Sequence, residues 1–145
     1  MAYINFINED VSYLLKNKKL IKAWITNTVQ SENQSIEEIN IIFASDKYIH
    51  SINNEYLKHD TYTDIITFQY NEINNPIHSD LFISLDRVKE NAQLFNQRFT
   101  DELHRILIHG TLHLVGYHDK KQADKLIMTS KEDYYLSLRP EQLQK

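Results

Sequence analysis

The chain has 145 residues, of which 41% are hydrophobic and 25% charged, with a formal net charge of −4 and a sequence pI near 5.9. That length fits one domain, residues 1–145, able to bury roughly 68–70% of the unfolded surface without a disulfide or a metal to hold it together. The acidic balance counts against a protein that coats nucleic acid, since neutralising phosphates takes an excess of Lys and Arg. The absence of cysteine excludes disulfides, thiolate metal sites and cysteine nucleophiles. No signal peptide and no apolar run long enough to span a bilayer are seen, so no membrane partner is expected and the expected location is the cytoplasm.

Two glycines and two prolines in the whole chain predict long regular elements joined by plain loops. Tyr3 to Ile7 alternates as a strand does. From Val11 to Val29 apolar residues recur at helical spacing. Ile39 to Ala44 reads as a buried strand and, being the most apolar, belongs at the centre of a sheet. Ser45 is the N-cap of a helix reaching Tyr56. Thr63 to Phe68 is rich in β-branched and aromatic residues, hence a strand. Asn71 to Ser79 reads as a loop around Asn74-Asn75-Pro76, and Leu81 to Ser84 as a short strand. Three helices follow: from Ser84 to about Phe95, from Thr100 to Gly116, and from Lys120 to Leu138. Gly116 has the place of a left-handed glycine just past a helix end. The order predicts an α+β fold, or α/β with one antiparallel strand: a mixed sheet with helices packed on it.

Chemistry concentrates in His109-Gly110-Thr111-Leu112-His113-Leu114-Val115-Gly116-Tyr117-His118-Asp119. His109 and His113 stand at i and i+4, on one helix face, where two imidazoles can grip one ion. The turn at Gly116 reverses the chain, so His118 or Asp119 can supply a third ligand. Three ligands and one open position describe a catalytic metal site; a closed structural one needs four. Gly110 inside a helix costs about 1 kcal/mol relative to alanine, which suggests close approach to its backbone. It also stands where the zinc-peptidase pattern His-Glu-x-x-His has its general base, so a peptidase mechanism is disfavoured. His50, His78 and His104 stand at no diagnostic ligand spacing and read as surface or packing residues. The lysine clusters 16–22 and 120–125 read as solvated helix faces.

The segment from His109 through Tyr117 resembles the motif of the YbeY family, bacterial endoribonucleases acting on single-stranded RNA. Asp101 to Leu107 resembles the family's lead-in to that helix, Asn53 to Phe68 the stretch ending Thr-Asp-Val-Leu-Ser-Phe, and Asp80 to Ser84 its Gly-Asp-Ile strand. The resemblance implies a four-stranded mixed sheet flanked by helices, similar to the zinc-peptidase core. It also implies action on ribosomal RNA, in its maturation and in ribosome quality control, and association with the small ribosomal subunit. The family's third histidine ligand falls at Asp119, with His118 one residue early; a carboxylate there is an acceptable ligand. The expected cofactor is one zinc ion, with iron(II) or nickel as alternatives. The expected chemistry is a metal-activated water or a metal-polarised phosphodiester.

Two further departures touch the substrate side. Leu57 stands where the family has an arginine thought to act on phosphate, which leaves Lys58 and His59 as candidate catalytic contacts. Lysine there offers a point charge in place of a bidentate fork. Ser79 replaces the glycine before Asp80. Asp64 is a candidate outer partner that orients a ligand histidine. Two rival readings remain: a metal-dependent hydrolase of another substrate, and a non-catalytic ribosome-associated factor. Neither the oligomeric state nor the RNA site is legible in the sequence.

Overall fold

The computed structural model of the chain describes residues 2–58 and 63–145. Four strands, β1 (Tyr3–Asn8), β2 (Ile36–Ala44), β3 (Ile65–Gln69) and β4 (Ile77–Ser84), form one mixed sheet in the order β1-β2-β4-β3. β1 and β4 run parallel to β2, and β3 closes the far edge antiparallel to β4. Each parallel step needs a long crossover. Helix α1 (Lys18–Ser31) makes the first, and α2 (Asp46–Leu57) followed by β3 lies in the second. Three further helices follow: α3 (Leu85–Leu94), α4 (Phe99–Leu114) and α5 (Gln122–Ser137). The fold is the expected α+β architecture, and the strand containing Ile39–Ala44 is an inner one. Among the described residues no helix is long and apolar enough to cross a membrane.

The burial pattern explains the layers. In β2, Ile39, Ile41 and Phe43 enter the main core with Leu81 and Ile83 of β4 and Leu103 and Leu107 of α4. On the other side of the sheet Ala44 joins Ile49 and Ile52 of α2 and Ile66 of β3 in a smaller cluster. Helix α4 is buried over most of its circumference, with a partly exposed stripe through Asp101, Arg105, His109 and His113. It packs on β3 and β4 and against α1, α3 and α5. Gly110 makes this possible. A Cβ there would lie 2.7 Å from Ile65 Cδ1 and 3.2 Å from Leu81 Cδ1. The close approach that its presence suggested is made by the sheet.

Several boundaries differ from the sequence reading. Helix α1 begins at Lys18, not Val11, because Asn17 is left-handed at φ 62° and no right-handed helix continues through it. The apolar residues before it are plugs from an irregular segment: Tyr13 meets Phe43 and Phe99 edge-on, and Leu15 is buried. Strands β2 and β4 start earlier than expected, since Ile36 pairs with Ile77 and draws Ile77 to Ser79 out of the expected loop. The 3₁₀ turn at Glu141–Gln144 carried no signal that we recognised. Ser45 does cap α2, its hydroxyl accepting from Tyr48 N at 3.1 Å, and Ser84 caps α3 in the same way.

His104, read as a surface or packing residue, is 3% exposed, edge-on to Trp24, and accepts at Nδ1 from Arg139 Nη1 at 2.8 Å. Burial, and then the Arg139 charge, depress its pKa to about 4. Between the ordinary value near 6.5 and about 4, the unfolded chain takes up a proton that the folded one refuses. Stability therefore falls as pH drops through that window, by up to about 3 kcal/mol. Urea unfolding at pH 7 and pH 4.5 should show this loss, and His104→Gln should flatten it. Gly110→Leu should lower the unfolding free energy by at least about 1–3 kcal/mol through overpacking, whereas Gly110→Ala, offset by helix propensity and movable side-chain ends, should change it by less than about 1 kcal/mol.

Candidate metal centre

Helix α4 carries His109 and His113 on its C-terminal turns, and the chain after it carries Asp119. The helix ends in a Schellman arrangement. Gly116 N donates to His113 O at 3.0 Å and Tyr117 N to Leu112 O at 3.0 Å, with Gly116 at φ +112°. This reversal brings Asp119 back over the helix. Its Oδ2 lies 3.3 Å from His109 Nε2 and 3.4 Å from His113 Nε2, and the two Nε2 atoms are 3.1 Å apart. The three residues are half-buried, and among the described residues they are the group able to hold a metal ion.

What lies behind the imidazoles fixes their chemistry. His109 Nδ1 is 2.6 Å from Glu132 Oε2, and His113 Nδ1 is 2.9 Å from the carbonyl oxygen of Tyr117. Both partners only accept, so both Nδ1 atoms carry the proton and both Nε2 atoms present a lone pair. Two lone pairs and a carboxylate oxygen thus face one point, an arrangement that a cation resolves. Three donors at the usual zinc distances of about 2.0–2.1 Å from a tetrahedral ion stand about 3.3–3.4 Å apart. The observed 3.1, 3.3 and 3.4 Å fit that size. A peptidase-type glutamate has no place beside them, since Gly110 faces the sheet.

Glu132, on α5, is 6% exposed and was not singled out in the sequence. Its second oxygen accepts from Arg105 Nη1 at 2.8 Å, and Arg105 Nη2 reaches Asp133 at 2.7 Å. Burial alone would lower the His109 pKa; the Glu132 hydrogen bond and charge, helped by Asp119 and Asp64, raise it above its ordinary value. The available signal was an acidic residue on the face of α5 that also carries Met128, Tyr135 and Leu136, where a carboxylate needs a partner.

The other expected residues are not among the three donors. His118 is exposed and outside it; with His113 it lines a groove of about 480 Å³ beside Gln34, Gln69 and Asn71. Asp64 is half-buried, accepts from Asn91 Nδ2 at 3.4 Å, and has its pKa raised by burial against the opposing charge of His109. Both Nδ1 atoms are engaged elsewhere, and the effect of Asp64 on His109 is that of its charge. Lys58 is exposed at the left-handed C-cap of α2. His59 lies outside the described residues.

With Asp119 as third donor, Asp119→Ala should weaken zinc binding by at least about 10-fold, while His118→Ala should leave it within about twofold. Competition with a chromogenic chelator measures both, and the reverse order would assign the third position to His118.

Comparison with known proteins assigns the chain to a family. Residues 3–138 match the family model described as endoribonuclease YbeY. A protein named endoribonuclease YbeY from Cytophaga hutchinsonii is 49% identical over 94% of this chain and 95% of its own length. One of the same name from Flavobacterium psychrophilum is 45% identical over 90% of this chain and 93% of its own. Among solved structures, TM1509 from Thermotoga maritima superposes with a TM-score of 0.64 at 28% identity, covering 92% of this chain and 87% of that one. The chain belongs to the endoribonuclease YbeY family.

Proposed function

We propose that this protein is a metal-dependent endoribonuclease that cleaves single-stranded RNA during maturation and quality control of ribosomal RNA, with one zinc ion held by His109, His113 and Asp119. Family membership gives the reaction class, hydrolysis of phosphodiester bonds in RNA. The observation that carries the metal assignment is the convergence of two Nε2 lone pairs and the Asp119 carboxylate within 3.1–3.4 Å. Zinc suits a set of two imidazoles and one carboxylate; iron(II) and nickel are the competing ions.

When bound, the ion supplies a Lewis acid and a water acidified toward neutrality. The chain's own groups do the rest. Glu132 and the Tyr117 carbonyl keep both imidazoles in the ligating tautomer. Asp64 adds negative charge beside them. Lys58, with His59, is the candidate phosphate contact in place of the family arginine, whose position Leu57 occupies. The groove beside His113 carries the amides of Gln34, Gln69 and Asn71 and, among the described residues, no Lys or Arg, which suits a base or ribose better than a phosphate. On this reading the enzyme works in the cytoplasm at the small ribosomal subunit.

The test pairs the protein with its His113→Ala variant on a single-stranded RNA, with and without chelator, so that the variant controls for contaminating ribonuclease. Cleavage by the metal-loaded parent alone is expected. Equal cleavage by both, or by neither, would remove the catalytic assignment and favour a non-catalytic ribosome-associated factor, consistent with the net charge of −4.

A further inference from the structure

Glu32, the C-cap residue of α1, lies far from His109 and His113 in sequence and takes no part in the donor group. Its side chain is nevertheless 15% exposed and fully engaged. One oxygen accepts from the Tyr117 hydroxyl at 2.7 Å. The other accepts from the Tyr135 hydroxyl and pairs with Lys131 Nζ at 3.5 Å. Lys131 also stands 5.5 Å over the Tyr117 ring. Burial alone would raise the Glu32 pKa, but the two hydroxyls and the lysine hold it below its ordinary value, so the carboxylate is ionised and a strong acceptor.

Tyr117 is where this cluster meets the metal centre. Its carbonyl fixes the tautomer of His113. Its backbone is the outer residue of the helix-ending turn, and Asp119 follows it by two positions. Beyond the turn itself, the segment is held by the Gln34 amide on the Val115 carbonyl and by the Tyr117 side chain, packed on the core and bonded to Glu32. Without its hydroxyl partner Tyr117 holds its own backbone less firmly, and the backbone angle that aims its carbonyl at His113 is freer to change. Resting on the metal-centre reading above, we infer that Glu32 is a positioning residue for that centre: by holding the Tyr117 hydroxyl it sets the His113 tautomer and the place of Asp119. It touches no ligand itself. The arrangement mirrors Glu132 behind His109, so helix α5 supports both imidazoles, one directly and one through Glu32.

The test uses the full chain with Glu32→Gln, Tyr117→Phe and the double variant. Zinc affinity is read by chelator competition, and the His113 and His109 tautomers in the metal-free protein by imidazole nitrogen chemical shifts. Each single variant should lose about 10-fold in zinc affinity, in the range for groups that orient ligands. The double variant should lose no more than the worse single one, because both cut the same link. His113 should become a mixture of tautomers while His109, held by Glu132, does not. A merely structural role would disturb both histidines alike. Unchanged affinity in Tyr117→Phe, additive losses, or an undisturbed His113 would overturn the inference. Should Glu32→Gln fail to fold, Tyr117→Phe, which removes one oxygen atom, decides it alone. Were the parent itself to bind no zinc, the metal-centre reading would fall, and the His113 tautomer would still decide the role of Glu32.

Discussion

Helix α4 lies close on the sheet because one of its positions carries no side chain. At Gly110 the helix backbone meets the side-chain ends of Ile65 and Leu81, so that a methyl group would require them to shift and anything larger would lift the helix. That contact sets the height of the helix above β3 and β4, and thereby the height of His109 one residue before it and His113 one turn after it. The rest of the molecule accommodates this placement. α1, α3 and α5 pack on the remaining sides of α4, and the chain beyond it must turn sharply at Gly116 to avoid running off the sheet.

The polar groups follow from that burial. A helix enclosed on most sides has little room for solvent behind its half-buried histidines, so their Nδ1 atoms need partners from the protein. Glu132 supplies one, and is oriented by its ion pair with Arg105. The Tyr117 carbonyl supplies the other. Both sets of supports sit on α5 or are reached from it, which gives a helix with weak segregation of polar and apolar faces a clear role. Its inward residues are chosen for hydrogen bonding as much as for burial.

Much of this was legible in the residues themselves. The spacing of His109 and His113 and the turn at Gly116 follow from short-range rules of helix geometry, the register of Asp119 from the family motif, and the inner strand from its run of isoleucines. What could not be read depended on distant partners. The irregular segment before α1 has the apolar content of a helix, and only the left-handed Asn17 and the pockets that receive Tyr13 and Leu15 show otherwise. Glu132 and Glu32 stand out in no local pattern, because their partners, His109 and Tyr117, lie 23 and 85 positions away. The structure puts His118 on the surface and Asp119 beside the imidazoles, a choice that spacing alone left open.

Three polar donor atoms gathered within 3.1–3.4 Å of one another in a half-buried place cost desolvation that an apolar cluster would not. Glu132 and the turn at Gly116 hold the donors there, so the centre costs stability to the very scaffold that builds it. Such a site is a trade-off between folding and function. Laboratory evolution for heat resistance alone, with no demand on activity, would therefore erode these positions first, replacing the converging donors with apolar or mutually bonded side chains. Retention of all three in a stabilised descendant would be a sign that the chemistry, and not the fold, was being selected.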